Sequence, residues 1–239
     1  MSAVAFAPVR IQGAKGWLAG LHAASAKGRP QLLMVAPFPH EWQRSYRLFA
    51  LLSQALAEQG VGSLRFDPTG CGDSSGEDAA FCLDQLAEDS RLALAWLRAM
   101  GAGPVLLLGV RAGALVASAL APEQGVEWIG WQPVTSGAAY LATLEARERQ
   151  ELCNPNRYGR RSAWSTPARD VLLGHRLHPR LREQLGAARL SHPPRFVLDA
   201  ELPPALSAWA DEISLATPFP AVQVRALAAD LSRRLTGGA

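Results

Sequence analysis

The residues Leu106-Leu107-Leu108-Gly109-Val110-Arg111-Ala112-Gly113-Ala114-Leu115-Val116-Ala117 read as an apolar strand turning sharply into a helix of small residues. A Gly-x-x-x-Gly turn of this kind exposes its middle residue at the tip, and a Ser placed there attacks carbonyl carbon. Both glycines, Gly109 and Gly113, are present, but the middle residue is Arg111. A guanidinium has five N–H donors, no acceptor, and stays protonated at any ordinary pH, so it cannot act as a nucleophile. The turn is built for acyl transfer and lacks the residue that performs it.

Acyl transfer also needs a base within reach of the nucleophile and an acid that orients the base. With this turn they follow in the order nucleophile, acid, His. The acid position falls at Asp199 or Glu201. The His is expected near 217–221, which reads Thr217-Pro218-Phe219-Pro220-Ala221; the last histidine of the chain is His192. Two of the three members are therefore missing from their places. A displaced nucleophile is the alternative. Cys71, Ser74, Ser75 and Ser136 all fall near the carboxyl ends of expected strands, where open α/β sheets place their sites, and His40 is the candidate base. His175, His178 and His192 lack the thiol or carboxylate companions of a metal site, so no metal and no cofactor is expected.

Arg111 has two readings. At the start of a helix it sits among free N–H groups and the positive end of the dipole, so it requires an anion nearby. The first reading is an internal ion pair with Glu41, Asp199 or Glu201, with Glu41 favoured. The second is a site for a carboxylate or phosphate ligand, contacted by Arg111, Glu41, His40 and Phe38.

The elements that position these residues follow from periodicity. Residues 4–24 alternate around Gly13 and Gly16 and read as a hairpin. The continuous apolar run at 31–36 reads as a strand buried on both faces, and 61–66, 104–108 and 126–131 read as further strands. The spacing of Phe49, Leu52 and Leu56, with Gly60 as stop, predicts a helix after Pro39. A second helix carries Leu86, Ala93, Leu97 and Met100 inward. The Asp67–Gly76 stretch is turn-rich. The βαβ alternation breaks over 137–190, which reads as a small helical cap-like insertion in a single domain spanning 1–239. A strand at 195–199, a short helix at 204–210, a strand at 212–216 and a helix at 222–235 complete the expected α/β fold, a mostly parallel central sheet with helices on both faces.

The chain of 239 residues is 49% apolar, which suits one such domain. No run is long and apolar enough for a membrane span, and no secretory signal is read at the N-terminus. Three widely spaced cysteines, Cys71, Cys82 and Cys153, fit a reducing cytoplasm better than a disulfide framework. Net charge is only +3, yet residues 157–195 hold nine arginines against Asp170 and Glu183. Such a patch is either a solvated surface or a dock for an anionic partner. It lacks the interleaved aromatic residues that stacking on single-stranded nucleic acid requires, and no nucleic acid is expected.

The order strand, Pro-Phe loop, helix, strand, Asp-x-x-Gly-x-Gly-Asp-Ser loop, helix, strand and Gly-x-x-x-Gly turn resembles the α/β-hydrolase superfamily over residues 4–133, and more weakly over 195–235. Four segments are similar to the bacterial exosortase A system-associated hydrolases, in particular the type numbered two. They are Ala36-Pro37-Phe38-Pro39-His40-Glu41, Gly70-Cys71-Gly72-Asp73-Ser74-Ser75-Gly76, Gly130-Trp131-Gln132-Pro133-Val134 and Gly174-His175-Arg176-Leu177-His178-Pro179. The resemblance implies a setting of bacterial exopolysaccharide production and exosortase-dependent protein sorting. Joined to the degenerate centre, it leads to the expectation of a non-catalytic accessory protein that binds a small anionic or glycan-related ligand or a protein partner. The alternatives are an ester, thioester or peptide hydrolase with a displaced nucleophile, and a docking module for a protein or membrane surface acting through the arginines.

Overall fold

Strands β3 (Gln31–Val35) and β4 (Gly62–Phe66) are buried at every residue, which places them mid-sheet. The computed structural model describes residues 6–101, 103–153, 169–198 and 221–237. The hairpin of β1 (Phe6–Gly13) and β2 (Gly16–Ala23) is antiparallel and joins β4 antiparallel. The pairs β4–β3, β3–β5 (Val105–Val110), β5–β6 (Trp128–Trp131) and β6–β9 (Val197–Leu198) are all parallel. These pairings form one seven-stranded sheet in the order β1-β2-β4-β3-β5-β6-β9.

Alternation along the strands divides the core in two. Leu33, Val35 and Leu107 face α2 (Leu83–Ala99) and α3 (Gly113–Gln124). Leu32, Met34, Leu106, Leu108 and Val110 face α1 (Pro39–Glu58) and a C-terminal helix, 221–236, that contributes Val224, Leu227 and Leu231. Helices on both faces are what a mostly parallel sheet requires, because both faces are apolar. Met100 differs from its expected inward position: α2 ends at Ala99 and Met100 is exposed. A helical period does not mark where the helix stops.

Within 137–190 lie α4 (Gly137–Leu152), a two-stranded hairpin of β7 (Val171–Leu172) and β8 (His175–Arg176), and α5 (Leu181–Ala187). The C-terminal helix, Ala221–Thr236, is α6. Several arginines expected to form an open basic surface are paired with acids from elsewhere. Arg180 meets Asp84 at 3.2 Å, Arg195 meets Glu127 at 2.8 Å, and Arg182 pairs with Glu145. The strand and helix expected at 204–216 lie outside the described residues, as do Arg157, Arg160 and Arg161. Among the described residues no helix is long and apolar enough to cross a membrane.

Candidate functional site

The turn between β5 and α3 keeps the geometry that its glycines predict. A Cβ on Gly113 would stand 2.3 Å from the Val35 carbonyl oxygen, and one on Gly109 would stand 2.8 Å from Ala114 Cα. Only glycine lets α3 start this close to the sheet. Arg111 sits at the tip with φ +49°, in the left-handed region that a long side chain rarely adopts. Its backbone is fixed on both sides. The Arg111 N–H donates to the Trp131 carbonyl, and the Arg111 carbonyl accepts from Ala114 and Val134 N–H groups, all at 3.1 Å.

The guanidinium is clasped. Arg111 Nε donates to Glu41 Oε1 at 3.4 Å, and Nη1 donates to the Gln132 carbonyl at 3.3 Å. The Tyr140 ring of α4 lies over it, 5.8 Å from centroid to guanidinium carbon. α1 begins at Pro39, and Glu41 belongs to its first turn. A carboxylate there is favoured by the helix dipole. Burial pushes the Glu41 carboxyl up from its ordinary value, and Arg111 opposes that shift. Burial and the Glu41 charge hold the Tyr140 hydroxyl well above the usual phenol range. The remaining Glu41 oxygen and the Tyr140 hydroxyl are buried and electrostatically coupled, although neither makes a hydrogen bond of good geometry. Tyr140, Glu41 and Arg111 together occupy the space before the β5–α3 turn, the elbow of the sheet.

An open cavity of about 700 Å³ lies beside this cluster. Its wall includes His40, Trp42, Arg44, Asp67, Cys71 and His175, and neither Arg111 nor Glu41 is part of it. Phe38, expected among the ligand contacts, is buried instead. Its ring stands edge-to-face against Phe81 at 6.1 Å and His175 at 6.0 Å. His40 and His175 meet edge-to-face at 6.1 Å. Burial lowers His40 to about 4, and Arg44, Arg147 and His175 push it the same way, while a hydrogen bond to the Leu173 backbone resists. Burial also lowers His175, with Asp78 resisting. Burial thus favours the neutral form of both imidazoles.

The displaced nucleophiles are committed elsewhere. Ser74 Oγ donates to the Asp67 carbonyl at 2.5 Å and accepts from Ala19 N–H at 2.8 Å. Ser75 Oγ bridges Trp17 N–H and carbonyl at 2.7 and 2.9 Å. These two hydroxyls stitch the 67–76 loop to β2. Ser136 caps α4 through Ala139 N–H. Burial, then Asp67, Asp89 and Asp78, push the Cys71 thiol up to about 12, so the thiolate that would attack is scarce at neutral pH. Asp67 itself accepts from Trp42 Nε1 at 2.9 Å and from Asp73 N–H at 3.1 Å. Asp199 and Glu201 lie outside the described residues. His192 borders α3 at the Ser118 carbonyl. No group of three or more His, Cys, Asp or Glu among the described residues could hold a metal.

Two residues were not legible as part of the site. Gln132 and Leu173 share with Arg111 a positive φ, +41° and +51°. Gln132 offers its carbonyl to Arg111, and Leu173 carries the hairpin turn over His40, with its N–H donating to Glu148 at 3.1 Å. Backbone strain of this kind clusters at functional sites. No spacing rule connects positions 111, 132 and 173.

No family model and no curated protein matches the chain. Solved structures do. Est1E from Butyrivibrio proteoclasticus, whose structure holds ferulic acid, matches with a TM-score of 0.63 at 16% identity, covering 96% of this chain and 99% of that one. A putative hydrolase from Agrobacterium vitis matches at TM-score 0.50 and 22% identity, over 76% of this chain and 72% of its own. A lidless serine hydrolase from Xanthomonas campestris matches at TM-score 0.47 and 22% identity over 54% of this chain; the chain spans 61% of its length. The protein has the α/β-hydrolase fold.

Proposed function

We propose that this is a non-catalytic protein on an α/β-hydrolase scaffold, which binds a small anionic or glycan-related ligand. One observation carries the reading: the elbow holds Arg111 clasped by Glu41 and covered by Tyr140, where a hydrolase needs an accessible nucleophile. The absence of any histidine after His192 supports it, because the base of a Ser-acid-His set has no candidate in its place. Fold alone does not imply the chemistry of the fold's enzymes. The segments at 36–41, 70–76, 130–134 and 174–179 support a narrower reading, an accessory role in bacterial exopolysaccharide production and exosortase-dependent sorting, in the cytoplasm.

The test is reaction of the purified protein with a fluorophosphonate probe, alongside hydrolysis of short-chain aryl esters. No labelling and no turnover above buffer are expected. Stoichiometric labelling of a serine would overturn the reading.

A further inference from the structure

We infer that the cavity between α1, the 67–78 loop and the β7–β8 hairpin takes a ligand bearing an acid group, and that His40 gains a proton when the ligand binds. The inference rests on the non-catalytic reading and deepens it by naming the ligand class and the site. The volume of about 700 Å³ suits a small organic molecule. Trp42 and Tyr46 give part of the wall an apolar face, and the exposed Arg176 supplies a guanidinium group that matches a carboxylate or sulfate.

The charge balance favours an anion. Asp67 lines the cavity, but its two carboxylate oxygens are taken by Trp42 and Asp73 N–H groups, and Arg65 lies close enough to feel its charge. Asp78 is the other acid in the wall, and it acts on His175. His40 faces Arg44 from its own helix, Arg147 from α4, and His175 and the Leu173 backbone from the hairpin. Arg147 has Glu151 at 3.6 Å as a partial counter-charge. Glu41, the acid next in sequence to His40, is turned to Arg111. His40 thus sits neutral in a field set by cations, with Nε2 buried and without a hydrogen-bond partner.

A bound anion offsets that field. It favours the imidazolium and lets His40 take up a proton from solvent. By linkage, the ligand must then bind more tightly as pH falls toward the free His40 value of about 4. Where the free form is neutral and the bound form protonated, the limit is about tenfold in affinity per pH unit.

The experiment is titration calorimetry of the intact protein with glucuronate, with glucose as the neutral counterpart and sulfate as a competitor, at pH 7.5 and 5.5. Glucuronate should bind, about threefold or more tighter at pH 5.5, with sulfate displacing it and glucose silent. Repeating the titration in buffers of different ionisation enthalpy should show proton uptake. Arg176→Gln should weaken glucuronate binding with an unchanged melting temperature, since Arg176 is an exposed residue. His40→Gln should lose the pH dependence of glucuronate binding and the proton uptake that accompanies it. Equal binding of glucose, no heat with glucuronate, or an affinity independent of pH would each overturn the inference. Fluorophosphonate labelling reads the non-catalytic proposal separately, so the two can fail independently.

Discussion

Arg111 Nε lies 3.4 Å from Glu41 Oε1, joining the tip of the β5–α3 turn to the first turn of α1, seventy residues earlier in the chain. The Glu41 side chain is 3% exposed and the Arg111 side chain 26%. The pair is therefore shielded from solvent on the carboxylate side and partly open on the guanidinium side. It neutralises a cation that the helix N-terminus of α3 would otherwise repel.

Removing the carboxylate charge should expose that repulsion. Breaking a buried pair typically costs about 3–5 kcal/mol. The long contact and the partly exposed arginine reduce this, so Glu41→Gln is expected to lower unfolding stability by about 1–3 kcal/mol. Denaturant melts at pH 7 measure it. A loss under about 0.5 kcal/mol would mean that the pair contributes nothing to the fold.

Adding Arg111→Gly to that variant should recover part of the loss. The second change removes the unpaired cation and relaxes the positive φ of +49°, a conformation that costs a non-glycine residue about 1 kcal/mol or more. A double-mutant cycle should return a coupling of about 0.5 kcal/mol or more between positions 41 and 111. Strict additivity would separate the two residues energetically.

Arg111→Ser is expected to show no aryl-ester hydrolysis. It supplies a hydroxyl but no general base, and base catalysis alone is commonly worth about 10²–10⁴-fold in rate. Aryl-ester turnover should stay at background. Measurable turnover in this variant would identify an unrecognised base, with His40 the first to replace.

Acid should weaken the fold through His40. Its folded value of about 4 lies below the ordinary 6.5. Between those values the unfolded chain binds the proton and the native protein does not, so the His40 contribution falls as pH is lowered from 6.5 toward 4. Glu41, raised by burial from its ordinary 4.5, acts in the opposite sense over the window that lies just above that ordinary value. Comparing melting temperature against pH for wild type and His40→Gln isolates the histidine. The variant should show the flatter slope between about pH 6.5 and 4.5, and identical slopes would contradict the assignment.

Two glycines should respond in opposite directions. Gly113→Ala drives a Cβ to 2.3 Å from the Val35 carbonyl and should prevent soluble expression or cost several kcal/mol. Gly186 lies inside α5, and a methyl group added there would meet nothing within 4 Å. Gly186→Ala should therefore stabilise by about 0.5–1 kcal/mol. A tolerated Gly113→Ala would show that α3 can retreat from the sheet.

The parts of the molecule that sequence resolves are those where one physical cause acts locally. The runs at Gln31–Val35 and Val105–Val110 are apolar because helices cover both of their faces, and they read as strands at once. The Arg111–Glu41 pair is legible because a cation at a helix start demands an acid, and the helix that follows the Pro-Phe loop carries one in its first turn. What is not legible depends on distant partners. Asp84 and Glu127 neutralise Arg180 and Arg195 from 96 and 68 positions away. Tyr140, which covers the elbow, belongs to a helix that no spacing ties to position 111. The cavity consequently opens beside the elbow, over His40 and Cys71, rather than in front of Arg111.

The close seating of Gly113 on the Val35 carbonyl has a consequence for what position 111 can carry. The bend at 109–113 is enforced by the packing of α3 on β3, whatever residue stands at its tip. Backbone shape and side-chain reactivity at position 111 are thus separately heritable. Position 111 can therefore exchange one chemistry for another while every strand stays in register.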